Sequence, residues 1–448
     1  MISRLPSTPL ETLSLSSALS FIVKTIHALA RFFGFWDRPL KNATSDFEEM
    51  PLLDKIYWGY KSKNPVIRAE KGSGLETYFK NSGPLPRLPE GFTRTHSLTF
   101  AGVGDLIKVD GLENSCDTFY EDVAPLIFQS DISYANIESQ LTAQDISGYV
   151  FSAKETPPLC CTPAQYATIK GHRGQQFTAL HTACNHTLDM GLEGLETTLA
   201  QLEKDDILDL GTNRQESQQF TGRIIEKNGI KIGFVSAAYG LNGKAVPTGK
   251  EWMVNIVKFH SKRALTEPVD MTLLNHQIAD CKAHQCDIIV ASLHWGYEYE
   301  FFPRRNQVEI AHTLIEAGVD VIIGHHSHVL QPIEFYTPRR DPQRTAVIAY
   351  SLGNLTSYYS APHLVLSGII NLTFTKGLLN GETKTLVETA KMIPVVQRES
   401  LHGDRPALKL QLLDTFIKNE KLSGDPEMQN YVAAVEKYAK LVLPEEKK

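Results

Sequence analysis

From about residue 94 onward, short apolar runs alternate with segments of helical periodicity, and this alternation limits the fold more than any other feature of the chain. HSLTFAGVG, DISYANIES, FTALHTAC, IKIGFVSAAYG, CDIIVASLHWG, VDVIIGHHSH, TAVIAYSLGN and VLSGIINLTFT read as strands. Between them a stretch over 117–129, LEGLETTLAQLEKDD, MTLLNHQIADCKAHQ and VEIAHTLIEAG read as helices. That order predicts βαβ units around a largely buried sheet, an α/β fold. LSGIINLTFT, the turn KGLLNGET and KTLVETAKMIPVV predict an antiparallel hairpin, so the sheets are mixed.

The flanks divide the chain into three parts. Residues 1–93 lack the alternation and end in the proline-punctuated GPLPRLPEGF, which predicts an N-terminal extension ahead of a main domain over 94–400. The remainder, 401–448, reads as a tail with a closing helix over 427–442. Within the extension, Leu15, Leu19, Ile22, Ile26, Leu29 and Phe33 recur at threes and fours, predicting an amphipathic helix within 13–36. The twelve uncharged residues from Thr12 to Val23 are too few to span a bilayer, which takes about 20. Three readings stay open: docking on the body of the protein, peripheral membrane contact through Phe32, Phe33, Phe35 and Trp36, or an unusual export signal. The corresponding location is cytoplasmic or peripherally membrane-associated.

A net charge of −6, with no basic block longer than two residues, argues against nucleic acid as a partner. Six cysteines without paired CxxC spacing argue against both a disulfide scaffold and a cysteine zinc site.

In α/β sheets, ligands gather beyond the carboxyl ends of the strands. Applied to the runs above, that rule selects Asp105, Asn136 and Glu138, Asn185 and His186, His294, the triplet His325, His326 and His328, and Asn354. Each has a plain alternative: Asp105 as a helix cap, Asn185-His186 as a turn followed by Asp189 capping a helix, His294 as a satisfied core imidazole. Together on one sheet edge they suit a divalent metal of the Mn, Zn, Fe or Co kind, with one or two ions bound.

At these motifs the chain resembles the CapA family, the poly-γ-glutamate capsule biosynthesis proteins of the calcineurin-like metallophosphoesterase superfamily. The stretches are AGVGD (101–105), ANIESQLT (135–142), NHTLDMGLEGL (185–195), SLHWGYEYEFFP (292–303), LIEAGVDVIIGHHSHVLQPIE (314–334) and YSLGN (350–354). The resemblance implies an α-β-β-α sandwich in which Asp105 and His328 hold one ion, Asn185, His294 and His326 a second, and Glu138 bridges them. It implies His186 as the catalytic proton donor, with Asp189 able to orient it. Asn136, His325 and Asn354 are the expected substrate contacts. Two positions depart from the pattern: Ile107 stands where the superfamily has a ligand histidine, and Cys184 where CapA relatives carry asparagine.

Two functions follow from the resemblance. One is a metal-dependent hydrolase of phosphate esters, tied to making or exporting poly-γ-glutamate. The other is an accessory protein that grips an anionic polymer such as polyglutamate in the metal cleft without cleaving it. The sequence leaves the oligomeric state open.

Overall fold

The computed structural model describes residues 3–13, 15–81, 83–142, 158–422 and 425–443. Its centre is a pair of mixed sheets stacked face to face. The first runs in the spatial order Arg405–Leu412, Glu382–His402, Leu366–Leu379, Thr93–Leu106, Ile132–Ile137, Ala179–His181 and Leu208–Leu210, with Asn354–Thr356 paired beside the end of Thr93–Leu106. The second runs Ile333–Tyr336, Ala346–Ala349, Val321–His325, Ile288–His294, Ile230–Ala238 and Arg223–Lys227. In each sheet the site-bearing strands are parallel neighbours and the antiparallel strands lie toward the edges.

Strand alternation explains the layers. Phe100, Tyr134, Phe234, Val290 and Ile323 point into the space between the sheets and form one core. Their neighbours in sequence, such as Ala135, Ile289, Ala291 and Ile322, point outward and are covered by helices. On the second sheet the cover comes from Thr272–Ala283 and Arg305–Ala317. The helices Ala124–Phe128 and Pro163–Ile169 cover the first sheet. The expected α-β-β-α sandwich is therefore present. The hairpin turn is Asn380-Gly381, both at positive φ (52° and 85°), the geometry that a two-residue turn between twisted strands requires.

Several elements differ from expectation. The 117–129 stretch forms only the short helix Ala124–Phe128, with Pro125 in its first turn where a missing N–H does no harm. Strand Arg405–Leu412 extends the first sheet beyond residue 400, so helical structure in the C-terminal part starts at Leu413.

The N-terminal part is more regular than its sequence pattern indicates. The amphipathic segment forms the helix Ser17–Phe33, capped by Ser16 and ended by Gly34 at φ 67°. A second helix, Leu52–Lys63, follows. His27 joins the two, its Nε2 lying 3.0 Å from the Ile56 carbonyl. Trp36, expected among the outward aromatics, is instead buried against Tyr57 and Tyr60, because the chain reverses at Gly34 and turns the indole inward. Phe32, Phe33 and Phe35 remain exposed. Among the described residues no helix is long and apolar enough to cross a membrane.

Lys61 locks this segment to the body. It reaches a buried carboxylate, Glu300, at 3.2 Å, which is also held by Arg304 at 2.8 and 2.9 Å and by the Tyr57 hydroxyl at 3.1 Å. Burial alone would raise the Glu300 carboxyl, but Arg304 and Lys61 overcome it and hold the group at about 2.

Candidate metal centre

Backbone register brings the strand ends together. Asp105 pairs with Asn136 and Asn136 with His181, while on its other side Asp105 pairs with Asn354. In the second sheet His294 stands beside His325. Glu138 follows directly on its strand, its N–H donating to the Leu106 carbonyl at 3.1 Å. Beyond His325 the chain turns through His326 and His328, both at positive φ (87° and 57°). Such conformations cost a non-glycine residue on the order of 1–3 kcal/mol each and persist only where the surroundings hold them.

Two donor groups result. Glu138, His294 and His326 offer atoms within 4.8 Å of one another, and so do Asp105, Glu138 and His328. Glu138 belongs to both. Its Oε1 lies 3.6 Å from His294 Nε2 and its Oε2 lies 3.9 Å from His328 Nδ1. Asn185 joins the first group, with Oδ1 2.8 Å from His294 Nε2.

These side chains fit a divalent cation on their own chemistry. Both Glu138 oxygens and both His326 nitrogens are buried without a hydrogen-bond partner. An unpaired buried polar group is costly and a native fold rarely keeps four in one place without a ligand. Burial drives the Glu138 carboxyl well above its ordinary range, and Asp105, Glu298 and Asp189 add to the effect. Burial pushes His294 and His326 well down, with neighbouring imidazoles contributing, which leaves them as neutral rings of the kind that ligate metals.

The remaining candidates take distinct places. His186 Nδ1 meets Asp189 Oδ2 at 2.6 Å, and its Nε2 lies 4.0 Å from Glu138 Oε1. Asp189 caps nothing: the helix Gly191–Lys204 begins after it with no side-chain cap, and its carboxylate instead accepts from His186 and from the Leu159 N–H at 2.7 Å. Asn136 donates to Asp105 Oδ1 at 2.9 Å, and His325 spans Asp105 Oδ1 and the Tyr134 hydroxyl at 2.8 Å each. Both are fully buried behind Asp105: each His325 nitrogen already has a partner, and the Asn136 amide nitrogen is turned to the carboxylate while its oxygen stays without one. Asn354 borders the open cavity and holds His328 Nδ1 at 2.9 Å. Ile107 lines the same cavity, and Cys184 packs as a buried thiol against Thr187.

Five further residues belong to this neighbourhood. Glu298 Oε1 lies 3.8 Å from His328 Nε2, and Trp58 donates to its other oxygen at 2.5 Å. The Tyr239 ring sits 4.4 Å from that of His326. Asn242 lies between Asn185 (3.2 Å) and His186 Nε2 (3.4 Å). His181 is buried beside His325 with neither nitrogen bonded. The strand-end rule reaches Tyr239 and Asn242 if it is applied also to IKIGFVSAAYG. Glu298 lies inside SLHWGYEYEFFP without any signal that separates it from Glu300.

The centre opens into a cavity of about 270 Å3 whose floor includes Asn185, His186, His328 and Asn354. A family model described as bacterial capsule synthesis protein PGA_cap matches residues 98–359, more than half of the chain and every candidate ligand. The chain belongs to this family. Among its relatives, the PGA biosynthesis protein CapA of Bacillus subtilis is 30% identical over 307 residues, covering 68% of each chain. The capsule biosynthesis protein CapA of Bacillus anthracis is 27% identical, covering 57% of this chain and 59% of the relative. Among solved structures, a calcineurin-like phosphoesterase from Bacillus subtilis is 18% identical with a TM-score of 0.37, covering 76% of this chain and 99% of the other. In this PGA_cap protein the matched span begins after the N-terminal segment, from which several cavity-lining residues come.

Proposed function

We propose that this PGA_cap protein is a metal-dependent phosphoesterase serving poly-γ-glutamate capsule synthesis or export. The observation that carries the reading is Glu138: one buried, unpartnered carboxylate shared by two groups of nitrogen and oxygen donors. Asp105 and His328 would hold one ion, Asn185, His294 and His326 the other, with Glu138 common to both. When bound, such ions neutralise phosphate charge and make a nearby water acidic enough to attack phosphorus.

The protein's own groups do the rest. Asp189 accepts a hydrogen bond from His186 Nδ1–H and so turns Nε2 toward the cavity, where the ring in its imidazolium form, with a proton on each nitrogen, can protonate the departing oxygen. His325 and Asn136 hold Asp105 in place, and Asn354 Oδ1 stands at His328 Nδ1, the nitrogen that faces Asp105 and Glu138. In the reaction a new bond forms between water oxygen and phosphorus, the bond to the ester oxygen breaks, that oxygen leaves with the proton from His186, and the proton released by the attacking water passes to solvent, from which His186 is reprotonated. The names of the relatives supply the biological setting.

The test is metal analysis of the purified protein, paired with Mn-, Zn- and Fe-dependent hydrolysis of a panel of phosphomonoesters and phosphodiesters. His186→Asn is expected to keep the metal and lower kcat by about 10²–10⁴. A wild-type protein that binds metal and cleaves no ester in the panel would transfer the site to the gripping of an anionic polymer.

A further inference from the structure

The cavity above the metal donors has two unlike ends. Its floor is the polar set Asn185, His186, His328 and Asn354. Its roof is apolar and comes largely from the N-terminal segment, with Leu159 and Leu364 of the body beside it: Leu10 and Leu13 from the first residues, Leu19 and Val23 from the helix Ser17–Phe33, Met50, and Ile56 from the helix Leu52–Lys63. Two cations, Lys55 and Lys108, also border the space. Polyglutamate has a carboxylate on every residue and no apolar tail to place against such a lining.

We infer that the substrate is an amphiphilic phosphate ester, its phosphate on the metal floor and an alkyl, acyl or isoprenoid tail beneath the N-terminal roof. This rests on the phosphoesterase reading and specifies the substrate class of that site. Burying apolar tail against apolar walls is favourable in proportion to the CH₂ groups removed from water, so the roof selects for chain length. The reaction balances as ordinary hydrolysis: ester and water give inorganic phosphate and the long-chain alcohol.

The outer side of the roof matches this assignment. On the helix Ser17–Phe33, Leu19 and Val23 line the cavity, whereas Phe21 and Phe32, on the opposite side, are 73% and 82% exposed. Lys24 and Arg31 accompany them. One helix thus touches the tail site on one side and offers an aromatic, basic face on the other, the composition of a helix that rests in a lipid headgroup layer.

Two measurements test the assignment. Binding of alkylphosphonates, which cannot be hydrolysed, is read from the fluorescence of Trp58, which lines the cavity, with Trp58→Phe as the control. Dodecylphosphonate is expected to bind the metal-loaded full-length protein at least tenfold tighter than butylphosphonate, and Val23→Glu to reduce that ratio severalfold. Hydrolysis of butyl, octyl and dodecyl phosphate is expected to show kcat/KM rising at least tenfold along the series. Equal affinity and equal kcat/KM across chain lengths would overturn the tail site while leaving the phosphoesterase reading intact. Chain-length-dependent binding without hydrolysis of any ester would do the reverse. Binding to dodecylphosphonate held in phosphatidylcholine vesicles identifies a bilayer as the source, and binding only to the monomer identifies a free amphiphile; both support the tail site.

Discussion

Asp189 Oδ2 accepts a hydrogen bond from His186 Nδ1 at 2.6 Å, and the Leu159 N–H at 2.7 Å holds the same oxygen still. The pair fixes one tautomer, with Nε2 presented to the cavity. Asp189→Asn keeps the shape but replaces an acceptor with a group that can offer its N–H to the ring. It is expected to lower kcat about 10–100-fold with KM and bound metal little changed. Steady-state kinetics beside metal analysis checks this; a variant that loses its metal would place Asp189 among the structural supports of the centre instead.

Glu138 faces Asp105 and the histidines with both oxygens unsatisfied. Without a cation this arrangement is unfavourable, since a buried carboxylate is left beside another one. Glu138→Gln removes the charge at nearly constant volume. In chelator the variant is expected to be more stable than the wild type by about 1–3 kcal/mol, and to lose most of the stabilisation that added Mn or Zn gives the wild type. Thermal melts with and without metal decide it.

The strand ends were legible because apolar runs with period-two alternation identify strands, and their carboxyl ends collect polar residues of ligand type. Asp105, Glu138, Asn185, His294, His326 and His328 do converge there. Direction within the cluster was not legible. Whether His325 faces a ligand or the back of Asp105 depends on Tyr134, nearly two hundred residues away in sequence. The roof was hidden for a related reason. Leu10, Met50 and Ile56 form no local pattern, and the helix Leu52–Lys63 carries lysines at 55, 61 and 63 that read as a solvated face. Lys61 is nevertheless buried, because its partner Glu300 is supplied by the loop after the strand Ile288–His294.

That ion cluster makes the N-terminal helices part of the body. Glu300 bonds Lys61, Arg304 and Tyr57 together, and all four are buried. Removing the anion leaves two buried cations without a counter-charge. Glu300→Gln is expected to cost about 3–5 kcal/mol in denaturant unfolding. Lys61→Met, which leaves the two-pronged Arg304 contact in place, is expected to cost less. Equal losses in both variants would mean that Lys61, not Arg304, carries the cluster.

His363 gives the same contact between N-terminal segment and body a pH dependence. Its Nε2 lies 3.0 Å from the Ser62 carbonyl at the end of the helix Leu52–Lys63, and the ring is buried. Burial lowers its pKa from 6.5 to about 4, with the Ser62 bond opposing only in part. The unfolded chain therefore takes up a proton at this ring below about pH 6.5, while the folded protein resists until about pH 4. Stability from this group is complete above pH 6.5 and falls as the pH drops toward 4, by about 3 kcal/mol over the window. His363→Gln retains a donor for Ser62 and cannot titrate. Its unfolding free energy is expected to fall less steeply than that of the wild type between pH 6.5 and 4, and parallel curves for the two proteins would show that this imidazole does not govern the acid sensitivity.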